Sequence, residues 1–300
     1  MIAKKIIEEA MFGAIVRAAT MLPPDVKKTL EEIKVQESDP IAIEHLRLSS
    51  ENFQMAEEGK GLLCGDTGFP LFFVKIGKKV ELEGGFSAIY EIASVATRNA
   101  TKQAYLRPTM VDPITRDNPG DNVGPGMPRV EIEFSDDIEG IEIIGAPKGG
   151  GSEIFGTFYR MLFPSDGLAG VCKFILDSIK EGCYSGKICP PAIVGVGIGG
   201  TADVCMKLAK HAALLRPLGR FSNDPEIEKL ERKLLEATKG FGLGPMGARG
   251  INSVMGLHIE TALTHTAALP VAVNAQCIVG RRWKAMISTD GKITYTGEMG

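Results

Sequence analysis

The stretch CPPAIVGVGIGGTADVCMKLAKHAALL, residues 189–215, decides the fold class. Its apolar run at 192–198 predicts a buried strand, and the apolar spacing at 202–215 predicts a helix. Two glycines at 199–200 predict a turn between them. A strand that feeds a helix through a glycine turn is typical of proteins that combine helices and sheets around one core.

The rest of the chain divides by the same patterns. Helical spacing fills the first 60 residues, strand patterns recur from PLFFVKIG (70–77) onward, and a hairpin is predicted around Asp290-Gly291. The segment 106–128 carries five prolines, which indicates a long functional or wrapping loop. We therefore expect one mixed α/β domain over residues 1–300, of α+β class, with a helical N-terminal layer and mixed sheets.

Composition excludes several classes of protein. The chain has 300 residues, a formal net charge of −3, 44% hydrophobic residues and 24% charged residues. This balance argues against a disordered tail, a nucleic-acid binder and a surface built for anionic membranes. The N-terminal 22 residues lack the apolar core and cleavage site of a signal peptide, so a cytoplasmic protein is expected.

Glycine is over-represented, at 36 of 300 residues. Gly195, Gly197 and Gly200 form the G-x-G-x-x-G of a dinucleotide-binding turn. No second strand ending in an acidic residue follows, which leaves a nicotinamide oxidoreductase as a weak alternative. The turn KGGGSE (148–153) suits close backbone contact with a carboxylate or a cluster sulfide, although a flexible surface turn would look the same.

The six cysteines fall into two groups. Disulfides are rare in the cytoplasm, and no CxxC pair is present. The first group lies in or at the end of helical patterns and indicates small buried hydrophobes: Cys172, Cys183 and Cys205. The second group lies where loops join apolar strand-like runs, where side chains are presented to a site: Cys64, Cys189 and Cys277. Spacings of 125 and 88 residues give this group no local cluster signature.

Titratable candidates are few. His45 is expected on the surface and His211 in a structural role, whereas His258 and His265 lie seven apart, as on one face of a helix. One of the latter two is favoured as a general acid, a general base or a hydrogen-bond donor to a carboxylate, rather than as half of a metal site. Asp66, in a glycine-flanked turn after Cys64, is the best-placed carboxylate, with turn capping as the alternative.

Seven motifs in chain order resemble the class I fumarase and L-tartrate dehydratase family. They are CGDTG (64–68), LRPTMVDPITRDNPGDN (106–122), KGGGSE, CPPAIVGVGIGG, LLRPLG (214–219), GLGPMG (242–247) and HIETALTHTAALPVAVNAQC (258–277). The resemblance covers roughly residues 5–290 and is to the α subunit of the two-subunit forms, equivalent to the N-terminal domain of the single-chain enzymes. The resemblance implies the fold of the class I fumarase α subunit.

The resemblance also implies a cofactor and a site. A [4Fe–4S] cluster would be held by Cys64, Cys189 and Cys277, with one iron open as a Lewis acid toward the substrate hydroxyl. The family's catalytic positions match Asp66 and His265. Its substrate-binding positions match Thr67, Arg107, Lys148 and Gly150. Where the family commonly has a glutamine, this chain has Gly65.

The expected function is reversible removal of water from a four-carbon hydroxy-dicarboxylate, with malate/fumarate as the first candidate and L-tartrate as the alternative. KGGGSE and THTAALPVAVN resemble fumarases, whereas NVGPGMP, NSVMGLHIE and GRRWKAMIST resemble tartrate dehydratases. A non-catalytic iron–sulfur sensor is a more distant alternative. A β subunit would supply the rest of the active site in an α2β2-type assembly, since a β-subunit-type C-terminal domain is expected to be absent from this chain.

Overall fold

A computed structural model of the chain describes residues 1–299 and confirms an α+β fold with mixed sheets. The helices are α1 (Lys4–Thr20), α2 (Pro24–Gln36), α3 (Pro40–Glu57), α4 (Ala88–Lys102), α5 (Gly150–Ile154), α6 (Gly167–Tyr184), α7 (Ala202–Leu215) and α8 (Pro225–Thr238). The strands are β1 (Phe69–Gly77), β2 (Arg129–Ser135), β3 (Ile141–Lys148), β4 (Thr157–Leu162), β5 (Ala192–Ile198), β6 (Val254–Thr261), β7 (Leu269–Gln276), β8 (Trp283–Ile287) and β9 (Ile293–Thr296).

The chain forms two compact units, each assembled from separate stretches. The first unit comprises Met1–Pro23, Asn52–Gly150 and Arg281–Met299. The second unit comprises Pro24–Glu51 and Gly151–Gly280. The N-terminal region consists of three helices, as predicted, and α1 to α3 are shared between the two units.

The first unit is built on a five-stranded sheet in the order β2-β1-β3-β8-β9. Strands β1 and β2 run parallel, and the other neighbours run antiparallel. Helices α1 and α4 supply the apolar side chains that close its core with those of the sheet. A Cβ at Gly145 of β3 would lie 2.9 Å from the backbone nitrogen of Ile15, so glycine is what lets α1 lie directly on the strand.

Strands β2 and β3 do not pair with each other, although the sequence places them on either side of a turn. Strand β1 lies between them, with Val74 opposite both Ile132 and Ile143. The short connection therefore spans one intervening strand, which the alternating pattern of each strand alone could not show. The hairpin at Asp290-Gly291 is confirmed, because β8 and β9 pair antiparallel.

The second unit is built on a four-stranded sheet in the order β4-β7-β5-β6. Strand β5 is parallel to β6 and antiparallel to β7, and its residues are almost all buried. A Cβ at Gly195 would lie 2.1 Å from the Ala209 carbonyl oxygen, and one at Gly197 equally close to the Cys205 carbonyl oxygen. These two glycines of the G-x-G-x-x-G pattern therefore serve close packing of β5 against α7.

Strands β4 and β6 and the short helix α5 were not predicted, whereas α8 begins as expected. Asp224 caps α8 by accepting hydrogen bonds from the backbone amides of Glu226 (2.9 Å) and Ile227 (3.3 Å). Among residues 1–299, no helix combines the length and the apolar character needed to cross a membrane.

Candidate functional site

In the first unit, the loop CGDTG leads into β1 and is held by backbone contacts. The Asp66 amide donates to the Cys64 Sγ at 3.4 Å. Gly68 has a φ of +67°, and a Cβ there would lie 1.8 Å from the Lys148 carbonyl oxygen. Only glycine fits this position, so the loop is fixed against the end of β3.

Asp66 is half-buried and lies beside Gly150. The Gly150 amide donates a hydrogen bond of 2.7 Å to the Asp66 Oδ2. A Cβ at Gly150 would lie 3.4 Å from the same oxygen. The glycine turn thus presents a backbone donor to an anion, and in this structure the anion is the carboxylate of Asp66.

Arg107 lies beside this loop at the start of the long loop after α4. Its Nη1 donates to the Gly65 carbonyl oxygen at 2.7 Å, and its backbone amide donates to Thr67 Oγ1 at 2.6 Å. The residue is exposed, and a guanidinium carries five N–H donors in a planar fork. Arg107 is therefore anchored by its main chain while its side chain retains donors for a carboxylate.

Thr67 and Lys148 are placed differently from the other predicted substrate-binding residues. Thr67 is 2% exposed; its hydroxyl accepts the Arg107 amide, and its carbonyl oxygen accepts from Nη2 of Arg281 at 3.3 Å. Lys148 is fully buried at the end of β3. Both residues support the loop from inside the first unit.

In the second unit, the sheet brings Cys189 and Cys277 together. Cys189 lies just before β5 and Cys277 just after β7, and these strands pair antiparallel, with Ile193 opposite Gln276. The Cys189 amide donates to Sγ of Cys277 at 3.5 Å, and the Ile278 amide donates to the Cys189 carbonyl oxygen at 2.9 Å. Both cysteines are half-buried.

Two other cysteines of this unit have a different environment. Burial raises the pKa of the Cys183 thiol to about 12, and the nearby Cys277 adds to the shift. Burial raises the pKa of Cys205 to about 11. Cys172, on α6, is half-buried, contrary to its expected core position. Cys183 and Cys205 are therefore protonated core residues, whereas the cysteines at the strand ends are accessible.

His265 lies in the exposed loop between β6 and β7, while His258 is buried on β6. The Ala267 amide donates to Nδ1 of His265 at 3.2 Å, which in the neutral ring leaves the proton on Nε2. Nδ1 of His258 lies 3.1 Å from the Ala212 carbonyl oxygen. The two histidines do not share a helix face, because His258 belongs to strand β6.

The donor chemistry of Cys64, Cys189 and Cys277 fits an iron–sulfur cluster. Such clusters are held by cysteine thiolates, and N–H groups aimed at sulfur stabilise them. All three cysteines are outside any disulfide and half-buried, and backbone amides donate to the sulfurs of Cys64 and Cys277. Within residues 1–299, no three His, Cys, Asp or Glu side chains are already gathered into a metal site.

Sequence reasoning missed Asn122 and Arg281. Asn122 is fully buried with a φ of +60° and bonds to the Arg107 carbonyl oxygen at 2.8 Å. Asparagine is enriched at left-handed positions, so its place in the glycine- and proline-rich loop was the available signal. For Arg281, four residues beyond Cys277, nothing local in the sequence indicates its bond to Thr67.

Comparison with known proteins shows similarity over nearly the whole sequence. A family model described as Fumarate hydratase (Fumerase) matches residues 8–286. A protein of Methanocaldococcus jannaschii, provisionally named L(+)-tartrate dehydratase subunit alpha, is 44% identical over 277 residues, covering 92% of this chain and 95% of the relative. The L(+)-tartrate dehydratase subunit alpha of Escherichia coli K12 is 34% identical over 281 residues, covering 94% of this chain and 90% of the relative.

Proposed function

Since this chain belongs to the fumarate hydratase (fumerase) family, we propose that it is the α subunit of an iron–sulfur hydro-lyase acting on a four-carbon hydroxy-dicarboxylate. The family assignment makes the chain a hydro-lyase of the class I fumarase and tartrate dehydratase type. The proposal adds the cluster ligands, the substrate-contacting residues and the partner.

The arrangement around CGDTG carries the proposal. A carboxylate (Asp66), a backbone donor (Gly150) and an exposed guanidinium (Arg107) are joined through one loop, with contacts of 2.7 Å from Gly150 to Asp66 and from Arg107 to Gly65. Eliminating water from a hydroxy-dicarboxylate requires a group that binds carboxylate and a group that handles a proton. The loop offers both kinds of group.

We assign a role to each of these residues. Arg107 binds one substrate carboxylate through its guanidinium fork, and Gly150 lies beside this substrate position, where its amide holds the Asp66 carboxylate. Asp66 holds or takes up a proton at its carboxylate, and His265 donates from Nε2. Thr67 and Lys148 act from beneath the loop, by fixing it where substrate binds.

The three half-buried cysteines, Cys64, Cys189 and Cys277, would hold the cluster. When bound, a cluster with an open iron supplies Lewis-acid chemistry for loss of the substrate hydroxyl. Binding by cysteine requires thiolates, and backbone amides lie 3.4 Å and 3.5 Å from the sulfurs of Cys64 and Cys277.

Two substrates are in contention. The description of the matching family favours fumarate and malate, and the names of the two relatives favour L(+)-tartrate. A Cβ at Gly65 would meet only Nη1 of Arg107, at 3.7 Å, so space beside the guanidinium is open where a side chain could have restricted the substrate. This opening would accommodate the second hydroxyl of tartrate as well as malate.

The names of the relatives also indicate the partner, because an α subunit implies a β subunit. We propose that a β subunit completes the active site, in an α2β2 assembly. Light scattering of the co-expressed chains measures the stoichiometry directly. An α chain that loads a cluster and turns over substrate alone would contradict the need for a partner.

The test of function is anaerobic co-expression with a β subunit, followed by assays with L-malate, fumarate, the three tartrate stereoisomers and mesaconate. We expect the iron-loaded complex to interconvert malate and fumarate or to dehydrate L(+)-tartrate, and the chelator-treated complex to lose that activity. A loaded complex that binds no dicarboxylate would instead support the iron–sulfur sensor. Tight nicotinamide binding in a titration would revive the oxidoreductase reading.

A further inference from the structure

We propose that Asn122 is a positioning residue that sets the main-chain geometry of Arg107 and thereby the affinity for the substrate carboxylate. The proposal rests on the proposed function, because it assigns Arg107 to carboxylate binding. Asn122 lies fifteen positions from Arg107 in the same long loop and is fully buried.

The Asn122 carboxamide uses its whole hydrogen-bonding capacity inside the first unit. Its Nδ2 donates to the Arg107 carbonyl oxygen at 2.8 Å and to Thr101 Oγ1 at 3.0 Å. Its Oδ1 accepts from the amides of Thr109 at 2.8 Å and Met110 at 3.2 Å. Two donors and two acceptor sites are all that a carboxamide has, so the site is matched to asparagine.

These contacts fix Arg107 from both sides. Its amide is bonded to Thr67 in the loop that carries Asp66, and its carbonyl is bonded to Asn122. Asn122 is in turn bonded to Thr101, in the last turn of α4, whose hydroxyl donates to the Thr97 carbonyl oxygen at 2.9 Å. The Arg107 backbone is therefore connected to both the CGDTG loop and a core helix.

The backbone of Asn122 adds a second requirement, because its φ of +60° is in the left-handed region. Glycine would keep this conformation while removing all the side-chain hydrogen bonds. Aspartate would keep the shape but place a carboxylate oxygen against the Arg107 carbonyl oxygen. The two substitutions therefore separate the contribution of the backbone from that of the amide donors.

Displacement of a substrate-binding group costs affinity even when the group itself is intact. We expect Asn122→Gly and Asn122→Asp to raise the KM for the dicarboxylate by about tenfold, the effect of losing one or two hydrogen bonds. The kcat should change much less, because neither variant alters the proton-handling groups. Asn99→Gly is the matched control: it removes a side-chain amide that donates to Glu8 at 3.1 Å and weakens α4 without touching Arg107.

The decisive comparison is made in an Arg107→Ala background of the co-expressed complex. If Asn122 acts through Arg107, Asn122→Gly should leave the already raised KM unchanged in that background. Asn99→Gly should have the same effect on KM in the wild-type and the Arg107→Ala backgrounds. Additive KM effects, or an equal fall in kcat, would show a general structural role and overturn the proposal.

Hydrogen exchange gives a readout independent of turnover. The Arg107 amide is bonded to Thr67 rather than to Asn122, so faster exchange of this amide in Asn122→Gly, but not in Asn99→Gly, is expected. Unchanged exchange would overturn the proposal. If the wild-type complex turns over no dicarboxylate, the proposed function fails, and exchange still decides whether Asn122 orders Arg107.

Discussion

The amide of Gly150 and the carboxylate of Asp66, 84 positions apart in sequence, form a hydrogen bond of 2.7 Å. This contact orients a carboxylate beside a turn whose backbone donors suit anions. It gives Asp66 a fixed direction that the sequence motif alone does not specify.

Asp66→Asn should lower kcat by a factor of about 10²–10⁴ without unfolding the chain. The carboxamide oxygen can still accept a hydrogen bond from the Gly150 amide, but the side chain can no longer take up or release a proton. The measurement is steady-state turnover normalised to bound iron. Asp112→Asn, in the exposed loop, is the control and should keep wild-type turnover; equal rates for the two variants would remove Asp66 from the mechanism.

Cys64→Ser, Cys189→Ser and Cys277→Ser should each lose iron and the visible absorbance of the cluster after anaerobic reconstitution, because a serine hydroxyl is a much poorer iron ligand than a thiolate. Cys172→Ser serves as the control, since Cys172 is equally half-buried but lies on α6. Full iron content in any of the first three variants would exclude that residue as a ligand.

Gly68→Ala should lower the free energy of unfolding by more than about 2 kcal/mol, because the methyl group would collide with the Lys148 carbonyl oxygen and φ is +67°. Gly65→Ala, three positions earlier, should change it by less than about 0.5 kcal/mol, since its Cβ has open space. Urea unfolding of both variants tests the contrast. Similar losses at the two positions would mean that the loop is not seated on β3 as described.

Cys183 and Cys205 should resist alkylation by iodoacetamide at pH 8 in the iron-free chain. Thiolate is the reactive form, and a pKa of about 12 leaves roughly one Cys183 in ten thousand ionised at that pH. As long as the pH stays below the pKa, the ionised fraction of the thiol rises tenfold with each unit of increase in pH. Labelling should therefore accelerate as the pH is raised. Mass spectrometry compares them with Cys172; labelling of all three at the same rate would show that the core opens readily.

Elements with a strong local pattern were predictable. The segment 86–105 shows helical spacing and forms α4 (Ala88–Lys102), β1 and β5 follow from apolar runs, and β7 follows from an alternating pattern. Strand β6 was missed because the seven-residue spacing of His258 and His265 suggested a helix in this segment. Nδ1 of His258 lies against the Ala212 carbonyl of α7, a tertiary contact that no local pattern reports.

The candidate site was predictable by residue type and less so by arrangement. The glycine and proline neighbours of Cys189 and Cys277 indicated strand ends, and pairing of β5 with β7 brings those ends together. The burial of Thr67 was not predictable, because its hydroxyl accepts a hydrogen bond from the backbone amide of Arg107, forty positions away. Asn122 escaped notice for the same reason.

The interleaved path of the chain has a consequence for the order of synthesis. Strand β8 lies between β3 and β9 in the first sheet, but β3 ends at Lys148 and β8 begins at Trp283. During translation, the edge of β3 that pairs with β8 therefore stays unpaired while the whole stretch Gly151–Gly280 of the other unit emerges from the ribosome. An exposed strand edge attracts other strands, so this edge of β3 needs protection in the nascent protein.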